Sequence, residues 1–222
     1  MEASRTEFVA PFMSTAPSLN PWFPTQPAGA TPIKPLRAIG IIGTDKTGAG
    51  IAQWCATKRM GVMMHDVEAG ALTQAVQVIR GLFKSAEERH EISGADAHKA
   101  MGGISITTSL EDMEFCDIII DTLTEDTASK VARFARLAKV LPPEALLATC
   151  ASSAGLQELA AGIPGPDRLI GLLFFDPVNE SRQVHVTLGK GTSRLTAERT
   201  LGFIDTLGKQ AMLQGPVPGA NA

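Results

Sequence analysis

The chain has 222 residues, of which 44% are hydrophobic and 19% charged, and its formal net charge is −3. This length suits one well-packed domain, with or without a tail. The small negative charge gives no basis for nucleic-acid binding, and no apolar run reaches the roughly 18 residues of a membrane span. The amino terminus lacks the basic and apolar layout of a signal peptide, so we expect a cytoplasmic protein without nucleic-acid or membrane partners.

Three cysteines, Cys55, Cys116 and Cys150, lie far apart in the chain and match no metal-ligand spacing. We therefore expect no metal site and reduced thiols in the core or in strands. A disulfide framework is the alternative, which a cytoplasmic location does not favour.

Residues 1–35 differ in composition from the rest of the chain. Seven of the 14 prolines fall here, and no charged residue occurs between Glu7 and Lys34. Proline interrupts helices and removes donors from strand ladders, so we expect an extended, flexible tail. Four aromatic residues of this tail are Phe8, Phe12, Trp22 and Phe23. They are either incidental or dock on the domain or on a partner.

From Leu36 onwards, short apolar runs alternate with amphipathic segments. The predicted strands are 37–42, 61–65, 104–107, 116–121, 145–150, 169–174, 184–187 and 210–213. The predicted helices are 49–58, 69–91, 126–140, 155–161 and 193–207. This alternation predicts an α/β fold with a doubly wound, mostly parallel sheet in a single domain, residues 36–219.

Residues 38–53 combine a β-branched run, a glycine turn and the start of a helix. Glycine at positions 43, 45 and 48 would complete a turn that places a dinucleotide's pyrophosphate on the helix amino terminus. Gly43 and Gly48 are present and Gly50 follows, but position 45 is Asp45. Its side chain obstructs the phosphates, and two like charges about 4 Å apart repel by about 4 kcal/mol at an effective dielectric constant near 20. The sequence thus predicts a dinucleotide site that is damaged where the phosphates would lie.

Asp66 follows the next predicted strand, 18 residues after Gly48. This spacing is typical of the acid that accepts hydrogen bonds from the adenosine ribose, and a carboxylate there favours NAD over its 2′-phosphorylated form. The alternative is an ordinary aspartate in the turn at the end of a strand.

Four segments resemble the NAD-binding domain of 3-hydroxyacyl-CoA dehydrogenases. They are the turn at 39–53, the strand and loop at 118–126, the strand end at 148–153, and residues 171–178, which are similar to the family's "GxHFFNPV". The segments follow the family's order and spacing. This resemblance implies a Rossmann-type fold, NAD as cofactor, and hydride transfer to or from a 3-hydroxyacyl thioester of coenzyme A in fatty-acid metabolism.

By this resemblance, the family's catalytic histidine falls on Leu173 and its partner glutamate on His185. Leucine cannot take up the hydroxyl proton, and general acid–base catalysis is worth roughly 10²–10⁴-fold in rate. His185 could replace the missing base. The alternative is a histidine that fills a former polar pocket or packs as an ordinary strand residue.

The remaining site positions are mixed. The resemblance places Asp176 and Cys150 where the family has asparagines, retains Ser152, and retains Glu125 near the nicotinamide side. Part of the family's coenzyme A contact corresponds to residues 84–101. There, Lys84 and Arg89 are candidate phosphate partners, or else belong to a charged, solvated helix that also carries His90 and His98.

The family's chain continues into a helical domain that covers the acyl chain and forms the dimer. We expect that domain to be absent here and apolar surface near Phe174 and Phe175 to be exposed, unless both are core residues. A homodimer, a partner subunit or the tail would cover this surface.

Three functions therefore stay open: a weak NAD-dependent dehydrogenase, a binding or regulatory module for a nucleotide, acyl-CoA or protein, and one subunit of a split dehydrogenase. We expect weak NAD binding and an inactive or severely impaired enzyme when the chain stands alone.

Overall fold

The computed structural model describes residues 10–11, 33–151 and 153–216. Its strands are β1 (Ala10–Pro11), β2 (Ala38–Ile42), β3 (Gly61–His65), β4 (Ile104–Thr107), β5 (Ile118–Asp121), β6 (Leu146–Thr149), β7 (Leu169–Phe174), β8 (Gln183–Thr187) and β9 (Gln210–Gln214). Its α-helices are α1 (Lys46–Thr57), α2 (Ala69–Glu88), α3 (Gly94–Met101), α4 (Thr127–Leu137), α5 (Ser153–Gly162) and α6 (Arg194–Thr206).

The described strands form one sheet in the order β1-β9-β8-β7-β6-β5-β2-β3-β4. The six strands from β2 to β7 are parallel, and their spatial order is the 3-2-1-4-5-6 arrangement of a doubly wound dinucleotide fold. Strand β8 then runs antiparallel to β7, and β9 runs parallel to β8. The predicted fold class is therefore confirmed.

Alternating strand residues fill two apolar layers, one on each face of the sheet. In β2, Ile39 and Ile41 contact the layer built with α1, α2, α3 and α6, whereas Ile42 contacts the layer built with α4 and α5. Because both faces are covered, the central strands consist of nearly continuous β-branched and aliphatic residues. This is the pattern from which the sequence predicted them.

Most element boundaries agree with the sequence prediction, and the exceptions have local causes. Helix α1 begins at Lys46, three residues before the expected start, because the Asp45 side chain caps it. Helix α2 ends at Glu88 because His90 adopts a left-handed backbone with φ of 59°. His90 therefore lies in a turn, and not in the helical region expected for it. The predicted strands and helices did not include α3 as a separate element.

Two residues of the predicted tail, Ala10 and Pro11, form a short outer strand antiparallel to β9. The tail aromatics and Ser152 lie outside the described residues.

All three cysteines are free, as expected. Burial raises the pKa of Cys55 and of Cys116 to about 12, so both thiols stay protonated and unreactive. Cys150 is exposed, so its expected place in the core or in a strand is wrong: it follows the last residue of β6.

Candidate functional site

The candidate site lies where the winding of the sheet reverses, at the carboxyl ends of β2 and β5. These strands are neighbours in the sheet, although more than 70 residues separate them in the chain. Ligands of open α/β sheets bind in the crevice at such a switch point. The glycine turn after β2 and the first turn of α1 border this crevice.

Packing requires both glycines of the turn. Gly43 has φ of 113°, and a Cβ there would lie 2.3 Å from Thr122 Oγ1. A Cβ on Gly48 would lie 2.4 Å from the carbonyl oxygen of Gly43. Glycine is thus needed for close packing of the turn on β5 and of α1 on β2, and the backbone keeps the shape of a nucleotide-binding turn.

Asp45 occupies the amino terminus of α1 with its own carboxylate. Its Oδ1 accepts a hydrogen bond from the backbone N–H of Gly48 at 2.8 Å, and the Thr122 hydroxyl lies 3.4 Å from the same oxygen. A helix amino terminus has free N–H groups and a partial positive charge, which favour an anion. In this chain the Asp45 carboxylate is the anion at this helix end.

Two more carboxylates approach the same turn. Asp66 accepts hydrogen bonds from the Thr44 hydroxyl at 2.8 Å and from the backbone N–H of Glu68 at 3.0 Å. Asp176 accepts from the Thr47 hydroxyl at 3.0 Å. Together with Asp45, three negative charges are bonded to residues between 44 and 48, so the crevice is acidic where a pyrophosphate would need positive potential.

Gly50 faces the loop after β7 and not the crevice. A Cβ at this position would lie 2.9 Å from Val178 Cγ2. The missing side chain allows the loop at 175–182 to pack on α1, and a role of Gly50 in cofactor binding stays a prediction.

Sequence reasoning missed Lys209, which holds this loop in place. Its buried ammonium donates hydrogen bonds to the carbonyls of Val178 at 2.5 Å and Ser181 at 2.6 Å, and lies 4.7 Å from the centre of the Trp54 ring. Burial, and to a lesser extent the charge of Lys58, lowers the pKa of Lys209 to about 8. Because 155 residues separate Lys209 from Trp54, no local pattern indicates this contact.

Leu173 and His185 are direct partners across the antiparallel pair β7–β8, so the two positions that the resemblance assigns to catalysis lie side by side. The exposed fraction of Leu173 is 38% and that of Phe175 is 37%, whereas Phe174 is buried. The expectation of exposed apolar surface thus holds for Phe175 and not for Phe174. The rings of Phe175 and His185 meet edge to face, 4.9 Å apart. His185 is packed against an aromatic ring, and its cross-strand partner is an apolar side chain.

Glu125 belongs to a network of charges at the ends of β5 and β6. Arg133 donates to both Glu125 and the fully buried Asp121, the latter at 3.0 Å. Lys130 Nζ lies 3.5 Å from Asp121 and donates to Thr149 Oγ1 at 3.1 Å. The two carboxylates are thus neutralised by two cations of α4, which sequence reasoning missed. Basic residues spaced by three on an otherwise apolar helix face are the signal that could have revealed them.

Both candidate coenzyme A partners have acidic partners of their own. Arg89 binds both oxygens of Glu91, at 2.8 and 3.0 Å, and Lys84 lies 4.0 Å from Glu88. These contacts support the alternative of a charged, solvated helix. His98 is exposed, as expected. Among the described residues, no group of three metal-binding side chains converges, and no helix is long and apolar enough to cross a membrane.

The strand order, the glycine turn and the acid after β3 define a Rossmann-type dinucleotide-binding domain. A family model described as "3-hydroxyacyl-CoA dehydrogenase, NAD binding domain" matches residues 38–215, and the chain belongs to this family.

Among characterised proteins, the chain is 30% identical over 184 residues to 3-hydroxyadipyl-CoA dehydrogenase of Escherichia coli K12, covering 83% of the chain and 39% of that protein. It is 31% identical over 183 residues to 3-hydroxybutyryl-CoA dehydrogenase of Bradyrhizobium diazoefficiens, covering 82% of the chain and 62% of that protein. The chain therefore spans less than two thirds of the length of these relatives.

Solved structures that resemble this fold include members of the same family. (S)-3-hydroxybutyryl-CoA dehydrogenase PaaH1 from Ralstonia eutropha superposes with a TM-score of 0.77 at 29% identity, covering 84% of the chain and 66% of that structure. 3-Hydroxybutyryl-CoA dehydrogenase from E. coli K12 gives a TM-score of 0.77 at 30% identity, covering 80% of the chain and 38% of that structure.

Proposed function

We propose that this chain acts by binding and not by catalysis: it is an inactive or severely impaired member of the 3-hydroxyacyl-CoA dehydrogenase family that binds NAD weakly. Its role is that of a binding or regulatory module for a nucleotide or acyl-CoA ligand or for a protein partner.

One observation carries the proposal. The Asp45 carboxylate is hydrogen-bonded to Gly48 N–H at 2.8 Å, at the helix end that would receive the pyrophosphate. A dinucleotide would have to displace this carboxylate or lie beside it. At about 4 Å and an effective dielectric constant near 20, the repulsion is about 4 kcal/mol, which corresponds to nearly a thousandfold in affinity. Asp66 and Asp176 add to this negative potential.

The catalytic positions support the same conclusion. By resemblance, Leu173 takes the place of the base, and a leucine neither accepts nor donates a proton. His185 lies opposite Leu173 and contacts the Phe175 ring. In the part of the chain that the structure describes, it has no ion pair with a carboxylate of the kind that orients a catalytic imidazole.

Titration calorimetry with NAD tests the proposal on three proteins: the unmodified chain, Asp45→Asn and Asp45→Gly. Asparagine keeps a capping side chain without the charge, and glycine removes both the charge and the Cβ. We expect weak or undetectable binding by the unmodified chain and a gain of at least about tenfold for Asp45→Gly, with Asp45→Asn in between. Asp205→Asn, which removes an exposed acid of α6, is the control and should change nothing. Tight NAD binding by the unmodified chain would refute the proposal.

A second candidate is one subunit of a split dehydrogenase. The exposed Leu173 and Phe175 favour it, because a partner subunit would cover them. Two relatives are named fatty acid oxidation complex subunit alpha, which places members of this family in a multi-subunit assembly. Co-purification of the tagged chain from its native host tests this candidate. If the chain is one subunit of a split dehydrogenase, a stoichiometric partner should co-purify with the unmodified chain and not with Leu173→Glu.

A further inference from the structure

A cavity of about 740 Å³ opens at the amino ends of β3 and β4, whereas the candidate site lies at the carboxyl ends of the strands. Its walls are the carboxyl end of α1, the turn between α2 and α3, one side of α3, and the amino ends of β3 and β4. This volume is typical of sites for small organic ligands. None of the side chains assigned to the cofactor or to catalysis lines it.

Two residues with strained backbone line this cavity. Arg59 and His90 have φ of 60° and 59°, and they are the non-glycine residues with positive φ among those the structure describes. Each ends a helix, where the left-handed conformation closes the last turn: Met60 N–H donates to the carbonyl of Cys55, and Glu91 N–H to the carbonyl of Ala86. Glycine is the residue normally found at such positions, because a Cβ makes the conformation costly.

At a third helix end, which does not line this cavity, the same fold uses glycine. Gly208 ends α6 with φ of 69°, and the following N–H donates to the carbonyl of Ile204 in the same pattern. Two of these three helix ends therefore carry a long cationic or imidazole side chain in place of glycine, and both face one cavity. Strain of this kind persists at sites where the side chain has a function.

The acidic side chains that line the cavity have partners of their own, whereas two of its cations have no acidic partner among the described residues. Arg59 and Lys99 have no carboxylate within 4.0 Å among the described residues. The acids of the cavity have donors of their own: Glu91 is bound by Arg89, and Asp96 accepts from the Ser93 hydroxyl at 2.7 Å. Two unpaired cations and an imidazole therefore line the cavity.

We propose that this cavity is a binding site for a small phosphate-bearing anion, held by Arg59, His90 and Lys99. Guanidinium and ammonium groups bind phosphate through charge-assisted hydrogen bonds, and an imidazole adds a further donor. The half-buried Ile92 at the wall gives an organic part of the ligand an apolar surface to contact.

Calorimetry with inorganic phosphate, and with glycerol 3-phosphate as an organic phosphomonoester without a base, tests the proposal on the full chain. We expect saturable binding of at least one probe with a dissociation constant on the order of 1 mM or tighter. Tighter binding of glycerol 3-phosphate would identify an organic phosphate as the ligand class, and tighter binding of inorganic phosphate would identify the free ion.

Glycine variants distinguish a ligand site from a structural role of the same residues. Arg59→Gly and His90→Gly relieve the strain, so we expect melting temperatures about 2–4 °C higher together with affinities at least about tenfold lower. Arg59→Asn, which tolerates the left-handed region and carries no charge, is a second variant with the same expected loss of affinity. Lys139→Gln, which removes an exposed cation just after α4 and away from the cavity, is the matched control and should bind like the unmodified chain.

Three results would overturn the proposal: no saturable binding of either probe, unchanged affinity in Arg59→Gly and Arg59→Asn, or an equal loss in Lys139→Gln. A lower melting temperature of Arg59→Gly without any change in affinity would assign Arg59 to packing of the α1 terminus.

Discussion

Asp45 has two opposing effects. As the cap of α1 it satisfies a free N–H and complements the helix dipole, which is worth about 1 kcal/mol of stability. The same carboxylate takes the place that a pyrophosphate would need. Under the proposed function, the residue that weakens NAD binding also stabilises the helix, which gives Asp45 a physical reason to persist.

By resemblance, Leu173 and His185 lie at the family's catalytic positions and not at its cofactor-binding positions. We predict that the double variant Leu173→His, His185→Glu does not reduce acetoacetyl-CoA with NADH above background. By resemblance, it restores the family's base and its partner on directly opposed strand residues, but the Asp45 carboxylate, which we propose weakens NAD binding, stays in place. Absorbance at 340 nm measures the reaction, and a melting curve like that of the unmodified chain controls for folding.

A turnover of about 1 s⁻¹ or more by the unmodified chain would contradict the assignment of Leu173 and His185. In that case His185→Ala should abolish the activity, because His185 is the remaining imidazole at these positions.

Among the elements, the loop at 175–182 depends on a single buried cation. It carries Asp176 and Val178 to the first two turns of α1, and Lys209 holds two of its carbonyls. The lysine has no carboxylate partner among the described residues, so its charge is stabilised by carbonyl dipoles and by the Trp54 ring. The geometry of the loop is therefore linked to the protonation of one side chain.

We predict that the free energy of unfolding rises between pH 8 and pH 10.5 through Lys209. Its pKa is about 8 in the folded protein and near 10.5 in the unfolded chain, so between these values the unfolded chain binds more protons. This contribution is complete above pH 10.5 and is lost as the pH falls to 8. Urea unfolding at several pH values measures the slope.

Lys209→Met should remove this rise, and Lys209→Arg should also remove it while keeping a cation over Trp54. Lys58→Met should raise the pH at which this increase in stability begins, because the charge of Lys58 lowers the pKa of Lys209. An unchanged slope in Lys209→Met would show that other groups produce it.

For the molecule as a whole, the sheet was predictable because its strands are short apolar runs bounded by glycine and polar turns. The predicted spans 61–65, 104–107 and 169–174 coincide with β3, β4 and β7. Contacts between distant segments were not predictable. Nothing near Lys209 in the sequence indicates Trp54, and nothing near Arg59 or His90 indicates a left-handed backbone, since glycine is the usual sign of it.

The interactions of the candidate-site residues were not predictable from the sequence, and the roles that the resemblance gives to these residues stay predictions. Comparison of the sequence with the family assigned Leu173 and His185 to its two catalytic positions and identified Asp45 as an unusual residue. We interpreted Asp45 as an obstruction and missed its role as a helix cap, although an aspartate before a helix is a common capping signal. The ion pairs of Glu125 and Arg89 depend on side-chain conformations that a sequence pattern does not specify.

The two outer edges of the sheet lead to a last prediction. One edge is β4, and the other is closed by β1, which pairs with Leu213 and Met212 of β9. Deleting residues 1–31 leaves β9 with unpaired backbone groups, and such edges pair with other chains. We expect the truncated chain to melt at a lower temperature and to self-associate at concentrations where the full chain does not, as measured by light scattering after size exclusion. Met212→Lys in the truncated chain is the control, because a lysine on an edge strand opposes pairing and should restore the monomer. A truncated chain that stays monomeric and melts at the same temperature would show that β1 does not protect this edge.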